Sequence, residues 1–414
     1  MKVLLVHKFW KKIGGAEMYY QDTIRILKKY GHDVHAFSTM YDSGGGKDVF
    51  NVDDSVTMGH APEYLKGDVV QKIRNIPETI YSKKNKKIFR DLLIRLQPDI
   101  VHVFAIYVTI TPSILEVCSE LGIPVVMSCN DYKHICPNYR LFHHGKICED
   151  CKGGKFYKAI TNNCCKHSIG VSMVSALESY VHEKRDIYRK NTSAFLFESD
   201  FMLQKTKEFW SDHDVNLKFL GKPFDATAYT RATGFGDYLL FIGRLSDEKG
   251  VDILLKAMQK VPQAKLKIAG SGSWEAHLKK ISSELMLNNV EFLGAVHGEE
   301  LQNLIAHSRF IVVPSLWYEN FPYVMTETFA LGKAIIGSDK GGIPEYIEHG
   351  KTGYTYPSND HKQLAHHIEQ LWDNERLAKE MGASAKISAD LNFNDEVFYT
   401  RLNTIYQEVL AKEK

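Results

Sequence analysis

No stretch of the sequence is long and apolar enough to cross a bilayer, which argues against a membrane-spanning chain. The opening residues, MKVLLVHKFW, hold an apolar run too short for a signal peptide and read as a buried strand, so a cytoplasmic protein is expected. In that compartment thiols stay reduced, and the seven cysteines are not expected to form a disulfide framework. Charge is in balance, with 52 Lys and Arg against 50 Asp and Glu and a net +2, so a global nucleic-acid signature is missing. Also missing is G-x-G-x-x-G, since Gly14 and Gly15 in GGAE lack that spacing. What they do permit is close backbone approach to a ligand.

What is present is ordinary for a soluble globular protein, with 44% hydrophobic and 25% charged residues over 414 positions, enough for two domains. KVLLV reads as a strand, the Gly14-Gly15 turn leads into the helix AEMYYQDTIRILKKY, and DVHAFST is the next strand. PDIVHVFAIY and GIPVVMS continue the alternation. DYLLFIGRL, AKLKIAG, VEFLG, FIVVPS and KAIIGS repeat it in the second half, each followed by a helical or turn-rich stretch. Such alternation predicts an α/β chain with two Rossmann-like parallel-sheet domains in tandem. The least regular join is Asn216 to Tyr238, rich in Gly, Pro and Thr. The expected division is 1–220, 221–390, and a final amphipathic helix in 391–414 that packs back on the first domain. Ligands of open α/β sheets sit beyond the carboxyl ends of the strands, so a cleft between the domains is the expected site. The basic run SKKNKKIFR, Ser82 to Arg90, is read as a solvated helix face or as a contact with anionic lipid.

In FIGRLSDEKG a strand ends at Gly243, and Arg244 and Lys249 follow in a loop that opens a helix. A planar fork and a point charge beside backbone N–H groups suit a diphosphate. Gly272 lies in IAGSGS, another glycine-rich strand end. In LWYENFPYVMTE, Glu319 precedes a helix whose first turn accommodates Pro322, and Glu327 lies inside it. Backbone N–H groups of Asn320, Phe321 and Tyr323 surround that helix start and favour an anion. Carboxylates accept hydrogen bonds from vicinal hydroxyls, so two Glu flanking an anion site suit a sugar–diphosphate–nucleoside.

GGAE, PDIVH, GRLSDEKG, IAGSGS, PSLWYENFPYVMTE, GGIPE and GKTGY occur in this order over nearly the whole chain. In that order and spacing the sequence resembles the family 4 glycosyltransferases, enzymes of the GT-B fold with an E-x7-E motif, here of the bacterial polysaccharide-assembly type. The resemblance implies two facing Rossmann-like domains, an acceptor-binding first and a donor-binding second. It implies a retaining glycosyltransferase that moves a sugar from a UDP- or GDP-linked donor to a glycan or undecaprenyl-linked acceptor, in capsule, lipopolysaccharide or exopolysaccharide synthesis. Glu319 would then meet the transferred sugar's hydroxyls, Glu327 the ribose, and Arg244 and Lys249 the diphosphate. Gly14, Gly15, Gly243, Gly272, Asn320, Phe321 and Pro322 would complete the donor site. Charge on the departing diphosphate would be stabilised without a metal, so no cofactor is required for catalysis. Relatives often carry His-Asp where this chain has Asn130-Asp131, and Asn cannot shuttle a proton at neutral pH. His102 and His134 lie nearby in sequence. A contact with the inner face of the cell membrane is in keeping with such acceptors, and a nucleic-acid partner is not expected.

From Cys136 the cysteines run C-x11-C-x2-C-x12-C-C within an insertion of about 136–167. Cys136, Cys148, Cys151 and Cys164 fit a structural zinc, with Cys165 an alternative fourth ligand; reduced, non-ligating cysteines are the other reading. Cys118 and Cys129 fall in helix and strand patterns and are assigned to the core. The competing functions are a GT-B nucleotide-sugar epimerase or hydrolase and a zinc-dependent nucleic-acid-binding protein.

Overall fold

A computed structural model describes residues 1–11, 14–39, 50, 53–61 and 69–412. Two compact units divide the chain: Met1–Arg140, Glu149–Pro223 and Phe398–Lys414 form the first, Leu141–Cys148 and Phe224–Val397 the second. The boundary at Pro223 falls inside the irregular stretch Asn216 to Tyr238. Most of the final helix, Asp395–Lys412, belongs to the first unit, where the Tyr406 hydroxyl lies 2.7 Å from His102 Nδ1. Within the cysteine insertion, the short hairpin of Phe142–His143 and Lys146–Ile147 is grouped with the second unit.

The first unit is built on a seven-stranded parallel sheet. Its order is Val56–Met58, Asp33–Ser38, Lys2–Val6, Ile100–Val103, Val125–Cys129, Ala194–Phe197, Leu217–Phe219. The second unit has a six-stranded parallel sheet in the order Val290–Gly294, Leu266–Ala269, Leu239–Ile242, Phe310–Val313, Ala334–Ser338, Gly353–Tyr356. Both sheets place the unit's first strand inside and reverse the winding beside it. That reversal opens a crevice at the strand carboxyl ends, because helices leave the two neighbouring strands toward opposite faces.

Continuous apolar runs explain these central strands. Leu239 and Phe241 bury into one core with Leu266, Ile268, Phe310 and Val312; Leu240 and Ile242 pack with Ile311 and Val313 on the other face. A strand covered by helices on both faces reads as uninterrupted apolar sequence. Ala194–Phe197, Leu217–Phe219 and Gly353–Tyr356 are strands beyond those expected from the sequence. They lie toward the sheet edges, where short strands carry the weakest local pattern.

Candidate functional site

In the second unit the winding reverses between Leu239–Ile242 and Phe310–Val313. The loop after the first holds Arg244 and Lys249, and the loop after the second holds Glu319. Topology therefore brings together two segments seventy residues apart. The Leu316 N–H donates to the Glu248 carbonyl at 2.8 Å, tying the loops backbone to backbone. Lys249 Nζ donates to Glu319 Oε1 at 2.5 Å, and the Ser315 hydroxyl donates to the same oxygen at 2.7 Å. Glu319 is buried and Lys249 largely so. The ammonium also lies 5.4 Å from the centre of the Trp317 ring.

Arg244 is held differently. Its Nη2 donates to Glu248 Oε1 at 2.8 Å, and the Ser246 hydroxyl donates to that oxygen at 2.7 Å. Glu248 is fully buried while the Arg244 side chain is mostly exposed. Burial alone opposes ionisation of Glu248, but it is outweighed by hydrogen bonds with Asp247, Ser246 and its own backbone N–H and by the Arg244 charge. Together these hold its pKa down at about 2. A buried anion thus anchors a guanidinium that still presents N–H groups to solvent, a pre-oriented receptor for an anion.

Glycine permits this close packing. A β-carbon at Gly272 would lie 2.2 Å from the Leu245 carbonyl oxygen, so IAGSGS is glycine-rich because the Arg244 loop passes over it. Gly341, at φ +62°, would place a β-carbon 2.1 Å from the Glu319 carbonyl oxygen, and the next N–H, of Gly342, donates to that oxygen at 2.8 Å. GGIPE therefore fixes the backbone of Glu319. Gly243 extends the interior strand Leu239–Ile242, its N–H donating to the Ala269 carbonyl at 3.0 Å.

Downstream, one expectation changes. The helix runs Tyr323–Ala330 and Pro322 is its extended N-cap (φ −64°, ψ 133°), one position earlier than the first turn. The Phe321 side chain is in the core, stacked on Tyr346 with ring centres 3.6 Å apart, so only its backbone can meet a ligand. A β-region residue at the N-cap and an aromatic fixed just before it set the angle at which the helix starts. Asn320 is buried, and Glu327 lies half-buried on the helix. Glu248, Ser315 and Trp317 escaped the sequence reading. Trp317 carries a buried indole N–H that has no hydrogen-bond partner among the described residues. Their only signal was proximity to Arg244 and Glu319 in the chain.

Gly14, Gly15, Asn130 and Asp131 fall in the first unit. Gly14 is the N-cap of helix Gly15–Lys29. Its neighbour Glu17, the acid of GGAE, is buried, and burial raises its pKa against its own backbone N–H, Lys8 and Gly14. Glu17 Oε1 lies 3.8 Å from His7 Nε2. His7 Nδ1 lies 3.0 Å from the Phe9 carbonyl oxygen and 3.1 Å from the Phe9 amide nitrogen. Burial, and then the Lys8 charge, lower its pKa to about 3. Asn130 Nδ2 donates to Glu198 Oε1 at 2.5 Å, and Glu198 pairs with Lys222 at 2.7 Å. Asp131 accepts the Lys133 N–H at 2.9 Å; burial raises its pKa while Lys8 and Lys133 oppose. The Lys8 charge acts on His7, Glu17 and Asp131 alike. His102 and His134 are core residues, bonded to Tyr406 and Ser128 and to Thr206 respectively.

None of the seven cysteines, all among the described residues, is in a disulfide. Cys136, Cys151, Cys164 and Cys165 are buried in the first unit, Cys148 belongs to the second, and Cys118 and Cys129 are core. Cys164 and Cys165 place their sulfurs 4.0 Å apart. Hydrogen bonding within that pair pushes Cys164 up and brings Cys165 down to about 6, with Ser175, Lys133 and Ser172 also favouring the Cys165 thiolate. Among the described residues, no group of three or more His, Cys, Asp or Glu is arranged to hold a metal ion.

Two parallel-sheet α/β units, with charged loops at the second unit's winding reversal, define a GT-B fold, and solved structures bear this out. Sucrose-phosphate synthase from Thermosynechococcus elongatus superposes with a TM-score of 0.72 at 17% identity over 99% of each chain. Anabaena HepE in complex with UDP gives 0.67 at 17% identity over 99% of this chain and all of that one (100%). Residues 233–388, which contain the loops just described, match the model for glycosyl transferases group 1. The uncharacterized glycosyltransferase MJ1607 of Methanocaldococcus jannaschii is 36% identical over 156 residues, 36% of this chain and 39% of that protein. MJ1178 of the same organism is 24% identical over 410 residues, 99% of both. The GDP-mannose-dependent monoacylated alpha-(1-6)-phosphatidylinositol monomannoside mannosyltransferase of Corynebacterium glutamicum is 27% identical over 267 residues, 58% of this chain and 68% of that one. The chain thus spans less than half of the first relative, about two thirds of the third and nearly all of the second. Together these likenesses support glycosyl transfer by a GT-B enzyme, and they do not favour the epimerase or nucleic-acid-binding alternatives.

Proposed function

We propose that the chain transfers a sugar, with retention of configuration, from a nucleoside-diphosphate sugar to a glycan or lipid-linked glycan of a surface polysaccharide. The observation that carries this reading is the buried Lys249–Glu319 pair beside the anchored Arg244 at the second sheet's winding reversal. Solved relatives of the same fold hold UDP and UDP-glucose, and curated relatives include a colanic acid glycosyltransferase of Salmonella typhimurium and a D-rhamnosyltransferase of Pseudomonas aeruginosa.

Lys249 has three N–H groups, one of which goes to Glu319, leaving two for a phosphate oxygen. Arg244 supplies a second cation. As the bond between the sugar's anomeric carbon and the phosphate oxygen breaks, negative charge grows on the diphosphate, and these two groups stabilise it without a metal. The acceptor hydroxyl attacks from the face the phosphate leaves, and its proton passes to the departing phosphate oxygen. Neither Glu acts as a nucleophile. The protein's two bonds to Glu319 converge on Oε1, and we assign Oε2 to the sugar hydroxyls. Glu327 is assigned to the ribose, and Asn130 and Asp131 to the acceptor side.

Thermal melting in the presence of UDP-, GDP- and ADP-sugars tests the donor site. One nucleotide class is expected to raise the midpoint, and Glu327→Ala to weaken that response about tenfold or more in ligand concentration. If no nucleotide sugar moves the midpoint, the donor assignment fails.

For the buried thiols we propose a structural zinc, which would have to draw the sulfurs in from the positions they occupy here. Elemental analysis of the purified protein is expected to give about one zinc per chain, lost on Cys151→Ser. A zinc-free protein would leave the cluster as reduced packing.

A further inference from the structure

Two of the five cations in the basic run Ser82 to Arg90 are engaged by carboxylates, while Lys83, Lys84 and Lys87 are exposed. Lys86 binds Glu116 at 2.7 Å and Glu120 at 3.2 Å, and Arg90 pairs with Glu120. Asn85 and Phe89 are buried. That segment packs one face toward helix Ser113–Glu120 and carries no exposed apolar stripe beside its lysines.

A different surface of the first unit has the missing properties. Helix Ile169–Arg185 opens with IGVSMVSAL, nine residues without a charge. Its inner side, Ser172 and Ala176, closes over the thiol-rich core of Cys151, Phe156, Ala159, Cys164 and Cys165. Its outer flank carries Ile169, Met173, Leu177 and Tyr180, spaced by four, four and three residues and therefore aligned along the helix. These side chains are 60%, 54%, 50% and 40% exposed. The outer face of a solvated helix is normally charged. Here the first acid, Glu178, is instead turned inward, buried and paired with Lys133 at 2.6 Å.

The preceding segment extends this stripe. Residues 152–168, KGGKFYKAITNNCCKHS, contain four lysines and no acid. The short helix Lys158–Thr161 packs beside the long one: the Tyr157 N–H donates to the Tyr180 hydroxyl at 3.1 Å, and the Phe156 ring meets Tyr180 at 5.2 Å. Tyr157 itself is 48% exposed. Lys155 and Lys166 are exposed and Lys158 half-exposed; Lys152 reaches Glu208 at 3.6 Å. At the far end, Lys184 and Arg185 are exposed.

We propose that this face, the outer flank of helix Ile169–Arg185 with Tyr157 and the lysines of 152–168, seats the protein on an anionic phospholipid surface. Apolar side chains along one flank would enter the headgroup–acyl boundary, and the two tyrosines, with apolar rings and polar tips, suit that depth. Lysines bordering the stripe meet lipid phosphates while their stems lie on apolar surface. Lys152 is paired with Glu208 and Arg185 with Glu116, but Lys155, Lys158 and Lys166 border the stripe in no ion pair with a carboxylate among the described residues, and that charge selects an anionic bilayer over a protein partner. The residues changed in its test are none of those assigned to the donor or acceptor site, so the test does not depend on the sugar-donor assignment.

Co-sedimentation of the whole protein with vesicles reads it directly. The protein is expected to sediment with phosphatidylcholine vesicles containing phosphatidylglycerol, to leave pure phosphatidylcholine in solution, and to detach as salt is raised. The triple change Ile169→Ser, Met173→Ser, Leu177→Ser should lower partitioning by about tenfold or more. Lys155→Gln, Lys158→Gln and Lys166→Gln together should erase the preference for the anionic lipid. Both sets alter exposed or half-exposed positions, and unchanged thermal melting will show that the fold is intact. Absence of sedimentation, or sedimentation that neither set weakens, overturns the proposal. So does a dimer seen by light scattering that the serine triple dissolves while vesicles capture nothing, which would make the face a contact between two copies.

Discussion

Lys249→Met is expected to remove sugar transfer and to weaken the fold at the same time. Losing a cation that stabilises the departing diphosphate should lower turnover by about 10²- to 10³-fold. Separately, the change strands the Glu319 carboxylate in a buried position with only Ser315 as its remaining bond to Oε1. Breaking a buried ion pair from one side costs roughly 3–5 kcal/mol; because Lys249 keeps some contact with water, about 3 kcal/mol is expected here. The two effects separate in the double variant Lys249→Met, Glu319→Gln. With no charge left to strand, it should recover most of the stability measured by urea unfolding and none of the transfer. Turnover near the wild-type rate in Lys249→Met, or full recovery of activity in the double variant, would remove Lys249 from the site. Arg244→Gln provides the contrast. Its loss also frees Glu248, so a stability loss is expected there too, but smaller, because the arginine side is solvent-exposed.

Stability is expected to fall steeply below pH 6.5. His7, His102 and His134 are buried, and burial, the leading cause in each case, lowers each pKa to about 3. In the unfolded chain these groups titrate near 6.5. Between pH 3 and 6.5 the unfolded state therefore binds protons that the folded state refuses, so stability rises with pH across that window and is lost as pH falls. Each histidine contributes a slope of about 1.4 kcal/mol per pH unit, so three contribute roughly 4 kcal/mol per unit. Set against the 5–15 kcal/mol typical of a folded domain, one unit below 6.5 is a large effect. Urea midpoints at pH 7.5, 6.5 and 5.5 will show it. Glu17 and Asp131, raised by burial, pull in the opposite direction, losing stability as pH rises past their ordinary range. The difference in slope between wild type and His134→Gln isolates one histidine and should amount to about a third of the histidine effect. A midpoint that does not change from pH 7.5 to 5.5 would contradict the buried, neutral assignment. Glu248 acts only lower: its pKa of about 2 lies under its unfolded value, so the stability it confers is present above pH 4.5 and disappears as pH falls toward 2.

Much of the architecture was legible because it is local. Apolar runs bounded by glycine and proline marked the central strands, such as Leu239–Ile242 and Phe310–Val313. The loops after them, with Arg244, Lys249 and Glu319, stood out because charge at the carboxyl end of a buried parallel strand has few structural uses. The same local logic says nothing of where side chains go. The Phe321 ring stacks on Tyr346, twenty-five residues on, leaving its backbone N–H as the group the sequence reading assigned to the anion. By local pattern Gly272 is only part of a glycine-rich strand end, and its missing side chain makes room for the Leu245 carbonyl. The glycines of GGAE were noticed while its acid was passed over, because a lone Glu in a helix's first turn ordinarily needs no partner.

Sequence alone marked two parallel α/β sheets, the ends of most of their inner strands, and the charged residues that follow those ends. Periodicity, turn residues and caps act over a few positions and can be read there. Only the tertiary structure decided who faces whom: that Lys249 takes Glu319 while Arg244 takes Glu248, that Gly341 lies under Glu319, that His7 looks toward Glu17, and that helix Ile169–Arg185 turns its apolar flank outward. Those pairings follow from strand order and from the reversal of winding inside each sheet. They depend on which buried surfaces pack best across long chain separations, and no stretch of sequence carries that information alone.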